Sequence, residues 1–235
     1  MKRLSSNPEI SVQPDGKRLY GGYTLAEEVW HIATHGAGAL FGIVALVLML
    51  IKAVRADDAA MIAAVSVYGA SIILVFAAST LYHSTFAVPF RRVFELIDHL
   101  AIYIKIAGTY TPFALLVLPV SFGMPLLWVI WALAVAGIGL KLGAFLLRKE
   151  NKLAGWSLGF YLAMGWTVLF VAGRLFDLMP GAAFAWMVAG GICYTLGALV
   201  YGLKLFRYSH TVWHFFVLAG SVCHFITVYV FVLAR

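Results

Sequence analysis

Apolar residues fill seven long blocks of the chain, at about 29–51, 59–83, 97–118, 124–147, 155–176, 183–206 and 211–233, with short polar breaks between them. A helix needs about 20 residues to cross roughly 30 Å of hydrocarbon, and each block is that long. Lipid offers no partner for a bare backbone N–H or C=O, so blocks of this length predict helices. The expected fold is an all-α, seven-transmembrane helix bundle over residues 25–235. It follows a polar tail over residues 1–24, which has no apolar core and so predicts no cleavable signal peptide. The connections leave no room for an inserted soluble domain. Glycines four apart, Gly38 and Gly42, Gly139 and Gly143, Gly155 and Gly159, predict close helix contacts.

Composition agrees with a multi-pass membrane protein. The chain is 63% hydrophobic and 11% charged, with mean hydropathy +0.94, whereas soluble domains carry about a quarter charged residues. The net charge of +7 suggests loop charges rather than a nucleic-acid partner, since no aromatic-basic platform stands in the loops. Counting Lys and Arg by side orients the bundle. The tail holds Lys2, Arg3, Lys17 and Arg18; even-numbered loops hold Arg91, Arg92, Arg148, Lys149, Lys152, Lys204 and Arg207. The opposite side holds Lys52, Arg55, Arg174 and Arg235. The N-terminus is therefore expected in the cytoplasm and the C-terminus outside. Cys193 and Cys223 both lie in apolar blocks, which points to packing rather than to a disulfide.

On that map the polar residues inside the spans gather at one leaflet. His31 and His35 open the first span, Ser79 and His83 close the second, Asp98 opens the third, and His210 and His214 open the seventh. Such groups are expensive in lipid and face the bundle interior or a watery cavity. Residues four apart share a helix face about 6 Å along the axis, so His210 and His214 can bind one ion. His83 completes a three-histidine set suited to Zn2+ with a fourth position open. The intervening Thr211, Val212 and Trp213 offer no base. Asp98 is then the candidate catalytic base, and Ser79 a hydrogen-bond donor beside it.

The stretches "EEVWHIATHGAGALFG", "STLYHS", "FELIDHLAIYIKIAGTYTPF" and "SHTVWHFFVLAGSVCHF" resemble the bacterial hemolysin III family, within the progestin and adipoQ receptor superfamily. The likeness covers about 24 to 233. It implies seven helices with a cytoplasmic N-terminus in the bacterial inner membrane, and zinc at His83, His210 and His214 with Ser79 and Asp98 beside it. Related adiponectin receptors and alkaline ceramidases link such a site to ceramide hydrolysis; bacterial members are linked to haemolysis and membrane-lipid homeostasis. Glu28 and His35 match the first family motif, but His31 stands where asparagine is expected.

Other residues are given quieter roles. His99 reads as an interfacial histidine and His224 as a hydrogen-bond partner of a neighbouring helix. His224 lies roughly 21 Å beyond His210 by helical rise, too far to share an ion. Lys105 is open between snorkelling, pairing with a carboxylate and lining a cavity. Pro112 marks a kink; Trp30, Tyr82 and Trp213 read as interface anchors. Three functions are open. One is an intramembrane zinc hydrolase of a lipid amide or ester, with membrane lipids as its partners. Another is a non-enzymatic lipid sensor with structural zinc. The last is a pore-forming haemolysin, which the well-filled apolar spans speak against.

Overall fold

In the computed structural model the described residues are 10–12, 18–20 and 22–234. Lys2, Arg3, Lys17 and Arg235 of the charge count lie outside them, and so do the side chains of Arg18 and Lys152. The chain is an all-α membrane bundle. Its helices are α1 (Leu25–Arg55), α2 (Ala59–Ser84), α3 (Val88–Pro112), α4 (Val120–Leu146), α5 (Glu150–Gly165), α6 (Ala172–Leu178), α7 (Gly181–Leu203) and α8 (Ser209–Ile226). Six spans are single apolar helices: α1, α2, α3 with the turn that follows it, α4, α7, and α8 continued to Ala234. The predicted fifth span is α5 and α6, joined through a 3-10 turn at Trp166–Phe170 and bent by 55°. Counted as one crossing, that pair brings the spans to seven.

The segment before the bundle is not wholly irregular. Short antiparallel strands β1 (Ile10–Val12), β2 (Arg18–Tyr20) and β3 (Tyr23–Thr24) form a sheet in that order, with Ile10 opposite Tyr20 and Leu19 opposite Thr24. β3 runs straight into α1. Thr24 caps the helix in a reciprocal box: its Oγ1 accepts from the Glu27 N–H, and its own N–H donates to Glu27 Oε2 at 2.9 Å. This cap fixes where α1 starts, and so the height of every polar residue on its first turns.

Helix α3 starts at Val88, nine residues before the apolar block at 97. Its first turns are amphipathic, which hydropathy alone misses. Arg91 and Arg92, read as loop charges, therefore sit on a helix, and Arg91 is buried. At Pro112, where a kink is expected, α3 gives way to one π turn, Phe113–Val117, in which Leu118 N–H donates to Phe113 O at 3.0 Å.

The glycine pairs divide. A Cβ on Gly38 would stand 2.5 Å from the Phe76 ring, and one on Gly42 2.9 Å from Ile72, so α1 and α2 touch through these two. Gly139, Gly143, Gly155 and Gly159 have nothing within 4 Å of that position. Spacing alone cannot tell a packed glycine from one facing lipid. Two aromatic assignments also change. Trp30 is exposed as expected, but Tyr82 is buried under the Arg91 guanidinium, 4.6 Å from its ring centre. Trp213 points inward, its ring tilted by 33° against that of Tyr201. Cys193 and Cys223 are free.

Gly38→Leu should lower stability by about 1–3 kcal/mol, the ordinary cost of overpacking, whereas Gly139→Leu should change it by less than about 0.5 kcal/mol. Thermal unfolding of both variants in one detergent checks the contrast.

Candidate metal centre

The histidines foreseen at one leaflet do meet. His83 from α2 and His210 and His214 from α8 each bring a ring nitrogen within 4.8 Å of the others. Their ring centres lie 4.7 to 5.2 Å apart. His83 and His214 are fully buried; His210 is partly so.

Hydrogen bonding at the far side of each ring decides which nitrogen is free. His83 Nδ1 lies 2.6 Å from Glu28 Oε2. A carboxylate only accepts, so Nδ1 carries the proton and Nε2 keeps its lone pair. Thr34 Oγ1 donates to Trp30 O at 2.7 Å and lies 3.2 Å from His214 Nδ1. Its proton is spent on the carbonyl, so His214 Nδ1 donates and its Nε2 is again free. His210 Nδ1 bonds the Tyr23 hydroxyl. Burial pushes the Tyr23 phenol well above its usual range, so it stays neutral. His83 and His214 thus have Nδ1 protonated and Nε2 available, while His210 has its Nδ1 engaged by Tyr23 and offers Nε2 in the tautomer in which the phenol oxygen accepts; partners of this kind fix ring direction in histidine metal sites. Buried His83 Nε2 has no hydrogen-bond partner among the described residues. Three neutral nitrogen donors with outer partners fit zinc.

All three outer partners come from one continuous stretch of chain, residues 23–34. Tyr23 lies in β3, and Glu28 and Thr34 lie on the inward stripe of α1. Glu28 is the hub. Besides His83 it pairs with Arg91 through Oε1, and His31 Nδ1 lies 3.4 Å from its Oε2. Arg91 in turn donates to Thr85 O at 3.0 Å, closing the end of α2.

His31 sits among the three ligands, its ring centre 4.4, 4.6 and 4.8 Å from those of His83, His210 and His214. Its donor atoms group with Glu28 and His83 as a second possible set. His35 stacks on His214 at 3.5 Å, and both of its ring nitrogens are buried without a hydrogen-bond partner among the described residues.

Ser79 and Asp98 share a different surface. With His35, His210 and His214 they line a polar cavity of about 870 Å³ bounded also by α4, α5 and α7. Ser79 is within hydrogen-bonding reach of the Asp98 carboxylate. His99, expected at the interface, lines the same cavity, and so do Trp213 and the buried Lys141. His224 behaves as expected: its Nε2 donates to Met187 O on α7 at 3.0 Å.

Sequence reasoning found the three imidazoles, Ser79 and Asp98, but not their supports. His31 and His35 were placed at the same leaflet without a role, and Glu28 was noticed only through a family motif, although spacings of three and four already mark one helix face. Tyr23, Thr34, Arg91 and Lys141 gave no signal apart from their neighbours in space. If the α1 stripe orients the ligands, Glu28→Gln should weaken zinc binding by about 10–100-fold, and Thr34→Val by less. Competition with a chromogenic chelator on purified protein measures both.

Known proteins bear on the same residues. Residues 23–225 match the family described as Haemolysin-III related. Hemolysin-3 of Bacillus cereus is 39% identical over 207 residues, covering 88% of this chain and 92% of that one. The Hemolysin-3 homolog of Bacillus subtilis (strain 168) is 38% identical over 206 residues, covering 88% and 94%. The human Monocyte to macrophage differentiation factor is 24% identical over 169 residues, 69% of this chain and 68% of its own. The matched region starts at Tyr23, the first partner of the histidine cluster, and takes in both helices that supply its imidazoles; the chain belongs to the haemolysin-III-related family.

Proposed function

We propose that this protein holds zinc at His83, His210 and His214 and uses the site to hydrolyse an amide or ester of a membrane lipid, in the service of membrane-lipid homeostasis in the bacterial inner membrane. The observation that carries the proposal is the three imidazoles gathered beside a cavity whose lining includes a carboxylate and a hydroxyl.

Zinc so held supplies Lewis acidity toward a carbonyl oxygen and makes water a nucleophile near neutral pH. The rest falls to the chain. Asp98 faces the cavity and takes a proton as general base. Ser79, beside it, donates its one proton to that carboxylate and so holds it in one orientation. The second cavity, lined almost wholly by apolar residues, shares Ile102, Leu158, Tyr161, Trp213 and Val217 with the first. It can take an acyl chain while the polar end stays near Asp98.

A structural, non-catalytic zinc in a lipid sensor is favoured by one observation. The buried Nε2 of His31 has no partner and its ring lies among the three ligands, so it can fill the remaining position. Closed four-ligand sites are structural.

Purified protein should contain about one zinc per chain, and His210→Ala should lose most of it, by elemental analysis. Asp98→Asn should keep the metal and lose at least about 100-fold in lipid hydrolysis, the usual worth of a general base. Should Asp98→Asn restore a lipid-composition phenotype in full, the sensor reading holds instead.

A further inference from the structure

The polar cavity beside the metal centre carries cations that the histidines do not need. Arg92, Lys141, Arg148 and Lys204 line it, against the carboxylates of Glu95 and Asp98. Loop charge that orients the bundle accounts for cations at helix ends. It does not account for Lys141, which lies more than a turn inside α4 and is 7% exposed. Seven residues, about two turns, separate Lys141 from Arg148, so both reach the cavity from one side of α4.

The backbone brings the other cations together. Arg92 donates to Phe145 O at 3.3 Å, with its guanidinium 4.5 Å from the Phe145 ring centre, so the start of α3 is held against the end of α4. The Arg148 N–H donates to the same carbonyl at 3.1 Å, which puts the Arg92 guanidinium beside Arg148. Arg148 and Lys204 follow the ends of α4 and α7 in the left-handed region, at φ 55° and 48°. Glycine usually takes such positions; here each brings a cation to the cavity. Among the described residues neither has an ion-pair partner. His35 lines the same cavity, 4% exposed, with neither ring nitrogen hydrogen-bonded among the described residues. Guanidinium and ammonium groups without a counter-ion, and a buried N–H without an acceptor, suit an anion rich in oxygen. The arginine fork fits phosphate in particular.

We propose that this cavity binds a phosphate ester, its oxygens held by Arg92, Arg148 and Lys204, and that the ester is the headgroup of a membrane glycerophospholipid. The volume of about 870 Å³ has room for a phosphorylated glycerol and its ester groups. Ile102, Leu158 and Val217 also line it, which favours a lipid over a fully hydrated ion. About 9 Å of helical rise separates Arg92 from Asp98 on α3. The glycerol can bridge that gap and bring an acyl ester toward the metal centre. In this last step alone the inference rests on the hydrolase reading, whose substrate it narrows to the acyl ester of an anionic phospholipid.

The test compares dioleoyl phosphatidylglycerol with dioleoylglycerol, which has the same chains and no phosphate. Binding to the full-length protein in a non-ionic detergent is read by thermal stabilisation across a concentration series. The phospholipid should bind at least about tenfold more tightly. Arg148→Gln combined with Lys204→Gln should cut that preference below about twofold. Both side chains are exposed, so the fold should tolerate the change. Lys149→Gln removes a neighbouring charge outside the cavity lining and should keep the preference. Equal binding of the two lipids overturns the proposal. So does a preference that survives the double variant, or one that falls as far in Lys149→Gln. Glycerol 3-phosphate separates the two sources of phosphate. Its failure to displace the phospholipid supports the lipid headgroup; binding as tight as the phospholipid's overturns the headgroup in favour of a free phosphate ester. Phospholipid preference with no hydrolysis of its acyl esters counts against the hydrolase reading and not against this site.

Discussion

A carboxylate with no solvent exposure inside a helix bundle must be matched or neutralised, and Glu28 is matched on both oxygens. Arg91 binds one; His83 and, at longer range, His31 share the other. Much of the structure depends on this. Arg91 is there because α3 begins nine residues earlier than its apolar block, and Glu28 is at the right height because the Thr24 box starts α1 three residues before it. His83 is aimed because its far nitrogen is held. Removing one partner would leave another charge buried and bare, which costs more than the pair contributes. The cluster therefore behaves as a unit that ties α1, α2 and α3 together at one end.

The same end explains a division of labour. Helices α2 and α8 supply the imidazoles; α1 and the strand before it supply their orientation; α3 supplies Asp98. Nδ1 of every candidate ligand is occupied, so each ring presents the same nitrogen to the common centre. Metal sites built this way hold their geometry without help from the ion. The polar cavity beside them shares a wall with an apolar one, so groups of opposite character line neighbouring spaces.

Much of this was legible in the sequence, for identifiable reasons. Hydropathy finds spans because lipid enforces them, and it failed where the rule does not apply: at the amphipathic start of α3 and at the bent α5–α6 pair. His210 and His214 were readable as a pair because four residues make one helical turn, and His83 and Asp98 because charge orients the bundle and so puts them at the same end. The supporting atoms were not readable. Thr34 matters because its proton is already spent on Trp30 O, and Arg91 because it meets a carboxylate 63 residues away. The glycines show the same limit: the spacing at Gly38 and at Gly139 is identical, but only one faces a neighbour.

The central claim is that three nitrogen donors, already aimed, wait for one ion. X-ray absorption at the zinc edge of the purified, zinc-loaded protein tests it most directly. The account predicts a first shell of imidazole nitrogens at about 2.0–2.1 Å, with three histidine rings in the outer scattering and no sulfur. A shell containing sulfur at about 2.3 Å, or zinc ringed only by oxygen, would contradict it.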